Sequence, residues 1–372
     1  MALTARISSQ VAELRALALE TPIEPQVVTE AQAVDLLKAQ FQSENPPATL
    51  AAQQALYERL GLLPADSSLQ DMELELLGSE VLGFYVPKDK KLYVVARSGG
   101  VGPVEEYTMA HEITHALQDQ HFDLQKVSPD AADQTDRTLG AHALIEGDAS
   151  LSGTLWATRY LSAQELAVVV AAGADPSQQA VLAKLPPIVK EPLLFLYTQG
   201  LQFTLGLFQS GGWPAVDRAL RSPPVSTEQV LHPDKYATHE MPVVLSLPEG
   251  LAARVGAGWK LALQDTFGEL ELRIWLQSST SSAALADQAT AGWAGDRVGY
   301  LAGPSGQDAA IIWTSWDTPA DAAQFVDAAG RLVADGASPG TVIRATDREV
   351  VVIVASKSLL VDQVAKAAGF PK

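Results

Sequence analysis

Two histidines and a glutamate follow one another in the spacing H-E-x-x-H, as His111, Glu112 and His115. On a helix, residues four apart lie one turn above each other on the same face, so both imidazoles can bind one metal ion. Zn²⁺ in a catalytic site takes three protein ligands and leaves one position open. The glutamate lies beside the water that such an ion would hold, where it can act as a base. The spacing therefore predicts a zinc hydrolase, although three fixed positions also occur by chance in unrelated helices.

The neighbours of this motif are apolar, as at Met109, Ile113 and Leu117. They predict a helix that is largely buried. Buried polar side chains need partners, because burying them unpaired is costly. Two histidines and a glutamate in such a helix therefore indicate a metal site more than a solvated helix face.

A third ligand is expected from another helix, in the segment 139–151. Glu146 is the preferred candidate, and His142, one helical turn before it on the same face, is the alternative. Apolar residues surround Glu146, which argues against an ordinary solvated carboxylate. Gly147 suits a helix that packs closely against a partner.

These residues resemble the gluzincin clan of zinc metallopeptidases, to which thermolysin belongs. The resemblance rests on His111-Glu-Ile-Thr-His115 and on Glu146 in an E-G-D-A context. It implies that His111, His115 and Glu146 bind one Zn²⁺ per chain and that Glu112 is the general base. The implied activity is hydrolysis of peptide bonds by glutamate-assisted attack of zinc-bound water, with a peptide or protein as substrate.

One position departs from the thermolysin pattern. Thermolysin-like enzymes carry an aspartate four residues after the ligand glutamate, where it braces a histidine, and here that position is Ser150. Carboxylates that hydrogen-bond to a ligand imidazole fix its tautomer and orientation. Either Asp148 or Asp119 is therefore expected to take this role.

The resemblance also implies residues that stabilise the oxyanion of the reaction. Thermolysin-like sites use a histidine and a tyrosine from beyond the third ligand, and His232 and Tyr236 lie there, in the polar loop 226–236. As an alternative, residues 226–229 cap a short helix and His232 is a surface residue.

Several further stretches carry a second resemblance: 81–87, 119–123, 146–149, 223–236 and 291–297. Through them the chain, from about residue 60 onward, is similar to an uncharacterised bacterial family of exported, predicted metallopeptidases. The similarity implies an extracellular or cell-envelope location. The first residues, Met1-Ala-Leu-Thr-Ala-Arg-Ile, lack the basic region and apolar core of a signal peptide. Two expectations therefore remain: a cytoplasmic protein, or an exported one whose signal or anchor has been removed.

Composition excludes several classes of function. The net charge of −18 argues against a nucleic-acid partner, since phosphate binding needs clustered Lys and Arg. The absence of cysteine excludes disulfides, thiol catalysis and cysteine-ligated zinc. No apolar run is long enough for a membrane span. With 47% hydrophobic and 19% charged residues, the chain is expected to fold into a packed globule of unknown oligomeric state.

The predicted fold class is α+β, with a mainly helical, zincin-like catalytic domain over residues 1–248 that begins with a helical segment. A β-hairpin with strands at 81–86 and 91–96 precedes the metal helix. One strand of this hairpin, 81–86 or 92–96, could pair with an extended substrate, or the hairpin is simply packed.

A smaller α+β domain is predicted over residues 249–372. Its pattern indicates a helix within 258–277, then a small antiparallel sheet with helices on one side. It contains no histidine, so it is expected to serve as a scaffold or to bind a partner.

Two other functions remain open. The chain could be a latent or non-catalytic binding or regulatory protein that retains a zincin fold. It could also be a metal-dependent hydrolase of a non-peptide amide.

Overall fold

A computed structural model describes residues 2–78, 82–95, 101–129, 133–174, 176–278 and 283–370 of the chain. The helices are α1 (Ala2–Arg15), α2 (Glu30–Glu44), α3 (Pro47–Leu60), α4 (Leu69–Gly78), α5 (Pro103–Phe122), α6 (Leu124–Val127), α7 (Thr135–Tyr160), α8 (Ala163–Ala172), α9 (Pro176–Lys184), α10 (Pro187–Gly211), α11 (Trp213–Arg221), α12 (Thr227–Leu231), α13 (Pro233–Ala237), α14 (Leu251–Val255), α15 (Gly268–Gln277), α16 (Ala283–Thr290), α17 (Pro319–Asp335) and α18 (Ser358–Ala368). The strands are β1 (Pro25–Val28), β2 (Gly83–Val86), β3 (Lys91–Val95), β4 (Lys260–Asp265), β5 (Trp293–Ala302), β6 (Asp308–Trp316), β7 (Gly340–Arg344) and β8 (Glu349–Ala355). This mainly helical architecture confirms the predicted α+β class.

The smaller of two sheets has three strands in the order β1-β3-β2. Strands β2 and β3 form the antiparallel hairpin that the sequence predicts, and β1, which was not predicted, runs parallel to β3. β3 is therefore the central strand, and β2 forms an edge. Residues 81 and 96, where the predicted strands begin and end, lie outside the described residues.

Helix α5 packs against this sheet and against α1 and α7. Its buried residues Ile113 and Leu117 join Ile7 of α1 and Trp156 of α7 in one apolar cluster. Each fully buried aliphatic side chain contributes roughly 1.5–3 kcal/mol. Since residues two apart point to nearly opposite sides of a helix, this cluster turns the two histidines of α5 away from the apolar side.

Helices α7 and α10 cross at two glycines. A Cβ atom added at Gly147 would lie 2.1 Å from the carbonyl oxygen of Gly200, and one added at Gly200 would lie 2.2 Å from that of Ala143. No side chain fits at either position, so the two backbones touch directly. This contact sets how closely α7, which carries Glu146, approaches α10.

The larger sheet is antiparallel throughout, with the order β4-β5-β6-β8-β7. The helix predicted within 258–277 corresponds to α15, Gly268–Gln277, whereas strand β4 at the start of this range was not predicted. Six residues carry too little pattern for a strand to be recognised, and their pairing with β5 is a long-range contact.

Both faces of this sheet are covered by helices. Successive residues of β6, such as Ile311 and Ile312, pack into two different apolar clusters. Helices α3, α15 and α17 lie on one face, and α14 and α18 lie on the other. The prediction of helices on one side is therefore wrong, because the central strands are apolar at consecutive positions and bury both faces.

One apolar cluster extends across the predicted domain boundary at residue 248. It joins Leu56 and Leu144 to Trp275 and Val352. The indole Nε1–H of Trp275 also donates to the carbonyl oxygen of Leu60 at 3.2 Å. The two sides of residue 248 thus share buried contacts, and the boundary itself stays a prediction.

Among the described helices, none combines the length and the apolar content that crossing a bilayer requires. This agrees with the prediction that the chain has no membrane span.

Candidate metal centre

Helix α5 begins with a capping contact that fixes the position of its motif. Pro103 occupies the first turn, and Glu105 Oε2 accepts a hydrogen bond from the Gly102 N–H at 2.9 Å. Proline suits this position because an amide there would have no partner within the helix. The H-E-x-x-H residues therefore fall in the middle turns of a 20-residue helix, where the backbone is regular.

Three donor atoms from α5 and α7 converge, and we call them the donor triad: His111 Nε2, His115 Nε2 and Glu146 Oε2. The two Nε2 atoms lie 3.1 Å apart. Glu146 Oε2 lies 3.2 Å from His111 Nε2 and 3.5 Å from His115 Nε2. Two ligands of a tetrahedral zinc ion, each bound at about 2.0–2.1 Å, lie about 3.3 Å from each other. The structure thus brings the three predicted ligands together at a spacing that fits Zn²⁺.

The charges of the donor triad act strongly on one another. Burial lowers the pKa of His115, but Glu146, aided by Glu112, outweighs this effect and raises that pKa to about 9. Burial likewise raises the pKa of Glu146, yet His115 and His111 bring it well below its usual range. A partly buried carboxylate that stays ionised beside two imidazoles creates a site for positive charge.

The second ring nitrogen of His115 contacts a glutamine of the same helix. The Nδ1–H of His115 donates to Gln118 Oε1 at 2.9 Å. The orientation of this amide is fixed, because Gln118 Nε2 donates to the carbonyl oxygen of Ile145 at 3.0 Å and to Asp148 Oδ2 at 2.9 Å. With the proton on Nδ1, the lone pair of Nε2 points into the donor triad, as a metal ligand requires.

The two carboxylates considered for bracing the histidines have different positions. Asp148 contacts Gln118, so it acts on His115 through one intervening side chain. Asp119 accepts hydrogen bonds from the Tyr85 hydroxyl at 2.8 Å and from the Leu124 N–H at 3.0 Å, and so connects α5 to the hairpin. Sequence analysis missed Gln118, although its place one turn after His115 in the same helix was a usable signal.

Asp148 is also bound to a buried arginine of the first helix. The Nε–H of Arg15 donates to Asp148 Oδ1 at 2.7 Å, and its Nη2 donates to Asp217 Oδ1 at 2.7 Å. The side chains of Arg15 and Asp148 are both 0% exposed. Sequence analysis did not identify Arg15, whose partners lie far away along the chain.

Glu112 lies next to the donor triad and contacts the edge strand β2. Its Oε2 accepts a hydrogen bond from the Tyr85 N–H at 2.8 Å. Burial raises the pKa of Glu112, and the positive charges of His111 and His115 offset part of that rise. A carboxyl group with a raised pKa in this position is suited to accept and return a proton.

Tyr197 of α10 is a further residue near the donor triad. Its ring centroid lies 6.2 Å from that of His111, and the side chain is 42% exposed. Sequence analysis gave it no role. No local pattern marks it, because its closeness to His111 depends on the crossing of α7 and α10.

The described contacts of His232 and Tyr236 lead away from the donor triad. His232 Nε2 lies 3.0 Å from Glu269 Oε1 of α15, and the Tyr236 hydroxyl donates to the carbonyl oxygen of Ser222 at 2.9 Å. Ser226 caps α12 by accepting from the Gln229 N–H. The cap of α12 agrees with the alternative interpretation, but His232 is partly buried and pairs with Glu269 instead of lying free on the surface. The oxyanion roles of His232 and Tyr236 stay predictions.

A second group of acids, Glu228, Glu240 and Asp317, also gathers within metal-binding distance. The ammonium group of Lys235 lies among them, with Nζ 2.6 Å from Glu228, 3.0 Å from Glu240 and 2.5 Å from Asp317. A cation is therefore already supplied by the chain. This cluster is an internal ion-pair network and not a second candidate metal site.

Comparison with known proteins gives one match. Residues 258–365 match the family described as Domain of unknown function (DUF8575). No curated protein and no solved structure matches the chain. The matched residues cover helices α15 to α17 and all five strands of the larger sheet. They do not include the donor triad, so the case for a metal centre rests on its own geometry.

Proposed function

We propose that the protein is a zinc-dependent metallopeptidase that holds one Zn²⁺ per chain through His111, His115 and Glu146. The observation that carries this proposal is the donor triad, whose edges of 3.1, 3.2 and 3.5 Å fit a tetrahedral ion. The contact with Gln118 supports it, because it leaves the lone pair of His115 Nε2 free for a metal. Bound zinc would supply polarisation of a water molecule and of the substrate carbonyl group.

Glu112 is the proposed general base and general acid. Its contact with the Tyr85 N–H uses Oε2, so proton transfer is assigned to Oε1. Glu112 would take a proton from the attacking water and deliver it to the nitrogen of the leaving amine. Its raised pKa favours both transfers, since a very acidic carboxyl group returns a proton poorly.

The edge strand β2 favours a peptide over a non-peptide amide. Leu82 O accepts from the Val95 N–H, and pairing continues in register along β2 and β3. In antiparallel pairs the hydrogen-bonded residues alternate, so the backbone groups of Gly83 and Tyr85 point away from β3. An extended peptide could pair with this edge beside Glu112. The predicted alternative, strand 92–96, is unsuitable because β3 lies between β1 and β2.

Two further proposals follow from the sequence. The family resemblance implies an extracellular or cell-envelope location, and the absence of histidine from residues 249–372 favours a scaffold or partner-binding role for them. The competing functions, a latent regulatory protein or a hydrolase of a non-peptide amide, make different predictions in the experiment below.

The test combines metal analysis with one substitution. Purified protein incubated with Zn²⁺ and dialysed should retain one equivalent, and it should cleave members of a peptide library. Glu112→Gln should retain zinc and lose about 10²–10⁴-fold in kcat, the usual range for a general acid–base residue.

His121→Gln is a matched control in the same helix, because His121 Nε2 contacts the carbonyl oxygen of Ala18 and lies outside the donor triad. It should retain both zinc and activity. Absence of bound zinc in the native protein would overturn the proposal, and zinc binding without peptide cleavage would favour the other two functions.

A further inference from the structure

The first helix is connected to the donor triad through a fully buried arginine. Arg15 donates to Asp148 of α7 and Asp217 of α11, and its guanidinium carbon lies 4.4 Å from the centroid of the Trp213 ring. Burying an arginine is costly unless its charge is paired and its donors are used. Two carboxylates and an aromatic face from separate helices pair its charge, while Nη1 has no hydrogen-bond partner among the described residues.

The hydrogen bonds run without a break from Arg15 to His115, and each one determines the direction of the next. Arg15 can only donate, so Asp148 must accept. An ionised Asp148 can only accept, so Gln118 must present its NH₂ group, as observed at 2.9 Å. The carbonyl end of the Gln118 amide then faces His115, and the imidazole must carry its proton on Nδ1.

We infer that Arg15, Asp148 and Gln118, which we call the bracing network, are positioning residues that hold His115 in the tautomer with a free Nε2 lone pair. This inference rests on the proposed function, because it assigns a role toward the same metal. The network takes the place of the aspartate that the sequence lacks at Ser150. Loss of such partners typically weakens metal binding 10–100-fold.

Two substitutions of Asp148 distinguish a positioning role from a purely structural role, because they affect the Gln118 amide differently. In Asp148→Asn, the amide oxygen would face the Arg15 donor, and the NH₂ group would face the NH₂ group of Gln118. Rotation of the Gln118 amide would relieve this clash at the cost of its bond to Ile145 O, and it would present NH₂ to His115 Nδ1 and favour the proton on Nε2. In Asp148→Ala, the Gln118 amide keeps its orientation, since Ile145 O still accepts from it.

The positioning role therefore predicts that the near-isosteric Asp148→Asn harms zinc binding more than Asp148→Ala does. We expect Asp148→Asn to bind Zn²⁺ 10–100-fold more weakly than the native protein. Asp148→Ala should lose less affinity but more thermal stability. A structural role predicts that the alanine variant is worse in both measurements.

Two measurements test this inference on the full chain. Competition with a chelator gives the zinc dissociation constant of each variant. ¹⁵N spectra of histidine-labelled, metal-free protein, recorded as pH is raised until the His115 ring is neutral, report which ring nitrogen carries the proton. Native protein and Asp148→Ala should show the Nδ1–H form, and Asp148→Asn should show an increased Nε2–H population.

Two variants serve as controls. Asp217→Asn removes the charge of the other Arg15 partner but keeps an acceptor oxygen, and Glu13→Gln removes an exposed ion pair between α1 and α7, Glu13–Arg159 at 3.3 Å. Both should leave zinc affinity unchanged. If the Asp148 variants fail to fold, Gln118→Met keeps the Arg15–Asp148 pair and should still weaken zinc binding at least 10-fold.

Native zinc affinity and an unchanged His115 tautomer in Asp148→Asn would overturn the inference. Failure of the proposed function is distinguishable, since it would appear as absent zinc binding in the native protein. The tautomer measurement on metal-free protein would still report whether the bracing network controls His115.

Discussion

The side chain of His232 pairs with Glu269, and this contact links the loop after α11 to helix α15. The carboxylate of Glu269 is 4% exposed, while the imidazole is 33% exposed. The hydrogen bond to Glu269, with its negative charge, raises the pKa of His232 despite partial burial. The pair therefore stabilises the folded state when the imidazole is protonated.

We predict that His232→Asn lowers stability in a pH-dependent way. Because the folded-state pKa is raised above 6.5, the contribution is fully present below that pH and is lost as pH rises through the folded-state value. The difference in unfolding free energy between native protein and variant should thus shrink from pH 5.5 to pH 8.5 in urea denaturation.

The oxyanion role predicted from the sequence leads to a different expected result for His232→Asn. A lost oxyanion donor would lower kcat by about 10²–10³-fold, with a pH-independent effect on stability. Activity equal to that of the native protein would exclude that role for His232.

Single residues differ in how far sequence alone could identify them. His111 and His115 were predictable because helical periodicity places them on one face. Gln118 follows the same periodicity, but glutamine is common on helices and its amide has no chemistry that attracts notice. Arg15 could not be found, since its pairing with Asp148 joins residues 133 positions apart.

At the level of elements, the glycine contact between α7 and α10 decides where Glu146 and Asp148 lie. Both flank Gly147 in sequence, so any displacement of α7 at that point moves a member of the donor triad and a member of the bracing network together. A methyl group does not fit at this contact, because a Cβ atom added at Gly147 would lie 2.1 Å from the Gly200 oxygen.

We predict that Gly147→Ala destabilises the protein by about 1–3 kcal/mol, as overpacking usually does, and weakens zinc binding. Gly206→Ala is the matched control on α10, since its added Cβ meets no atom within 4 Å. It should stabilise the helix by up to about 1 kcal/mol. Thermal unfolding and chelator competition measure both effects, and equal behaviour of the two variants would contradict the prediction.

The long helix that carries Glu146 and the β2–β3 hairpin were predicted, and strand β1 was not. The segment 139–151, expected to be helical, lies within α7, Thr135–Tyr160. Strand β1 has four residues and exists only through its pairing with β3, more than 60 positions later. A strand of this length outside a hairpin carries too little pattern to be recognised before its partner is known.

At the level of the whole molecule, the buried carboxylates and the net charge of −18 both make the folded protein less stable as pH rises. Burial raises the pKa of Asp136 to about 7 and that of Asp296 to about 6, although both accept hydrogen bonds at the starts of helices, from Thr227 and from Phe267 and Gly268. An acid with a raised folded-state pKa binds protons more readily in the folded protein than in the unfolded chain.

We predict that the metal-free protein becomes more stable as pH falls from 8 to 5. The contribution of each raised carboxyl group is lost as pH rises through its folded-state pKa, about 6 for Asp296 and about 7 for Asp136. Asp136→Asn should reduce this change of stability with pH, because an amide oxygen can still accept from Thr227 but does not titrate. Urea denaturation at several pH values measures the free energy of unfolding of both proteins.

The zinc-loaded protein should instead become less stable as pH falls from 8 to 5, since protons compete with zinc for the imidazoles. A metal-free protein that loses stability on acidification to pH 5 would contradict the prediction.

The distance along the chain between Arg15 and its partners also determines when the first helix can dock. Asp217 follows Arg15 by 202 positions. At about 5–20 residues per second, the ribosome needs on the order of 10–40 s to cover that 202-residue interval. During that time α1 has no complete docking site, because Asp217 has not yet been synthesised. The buried pairing of Arg15 is therefore completed late in synthesis, after α11 has emerged from the ribosome.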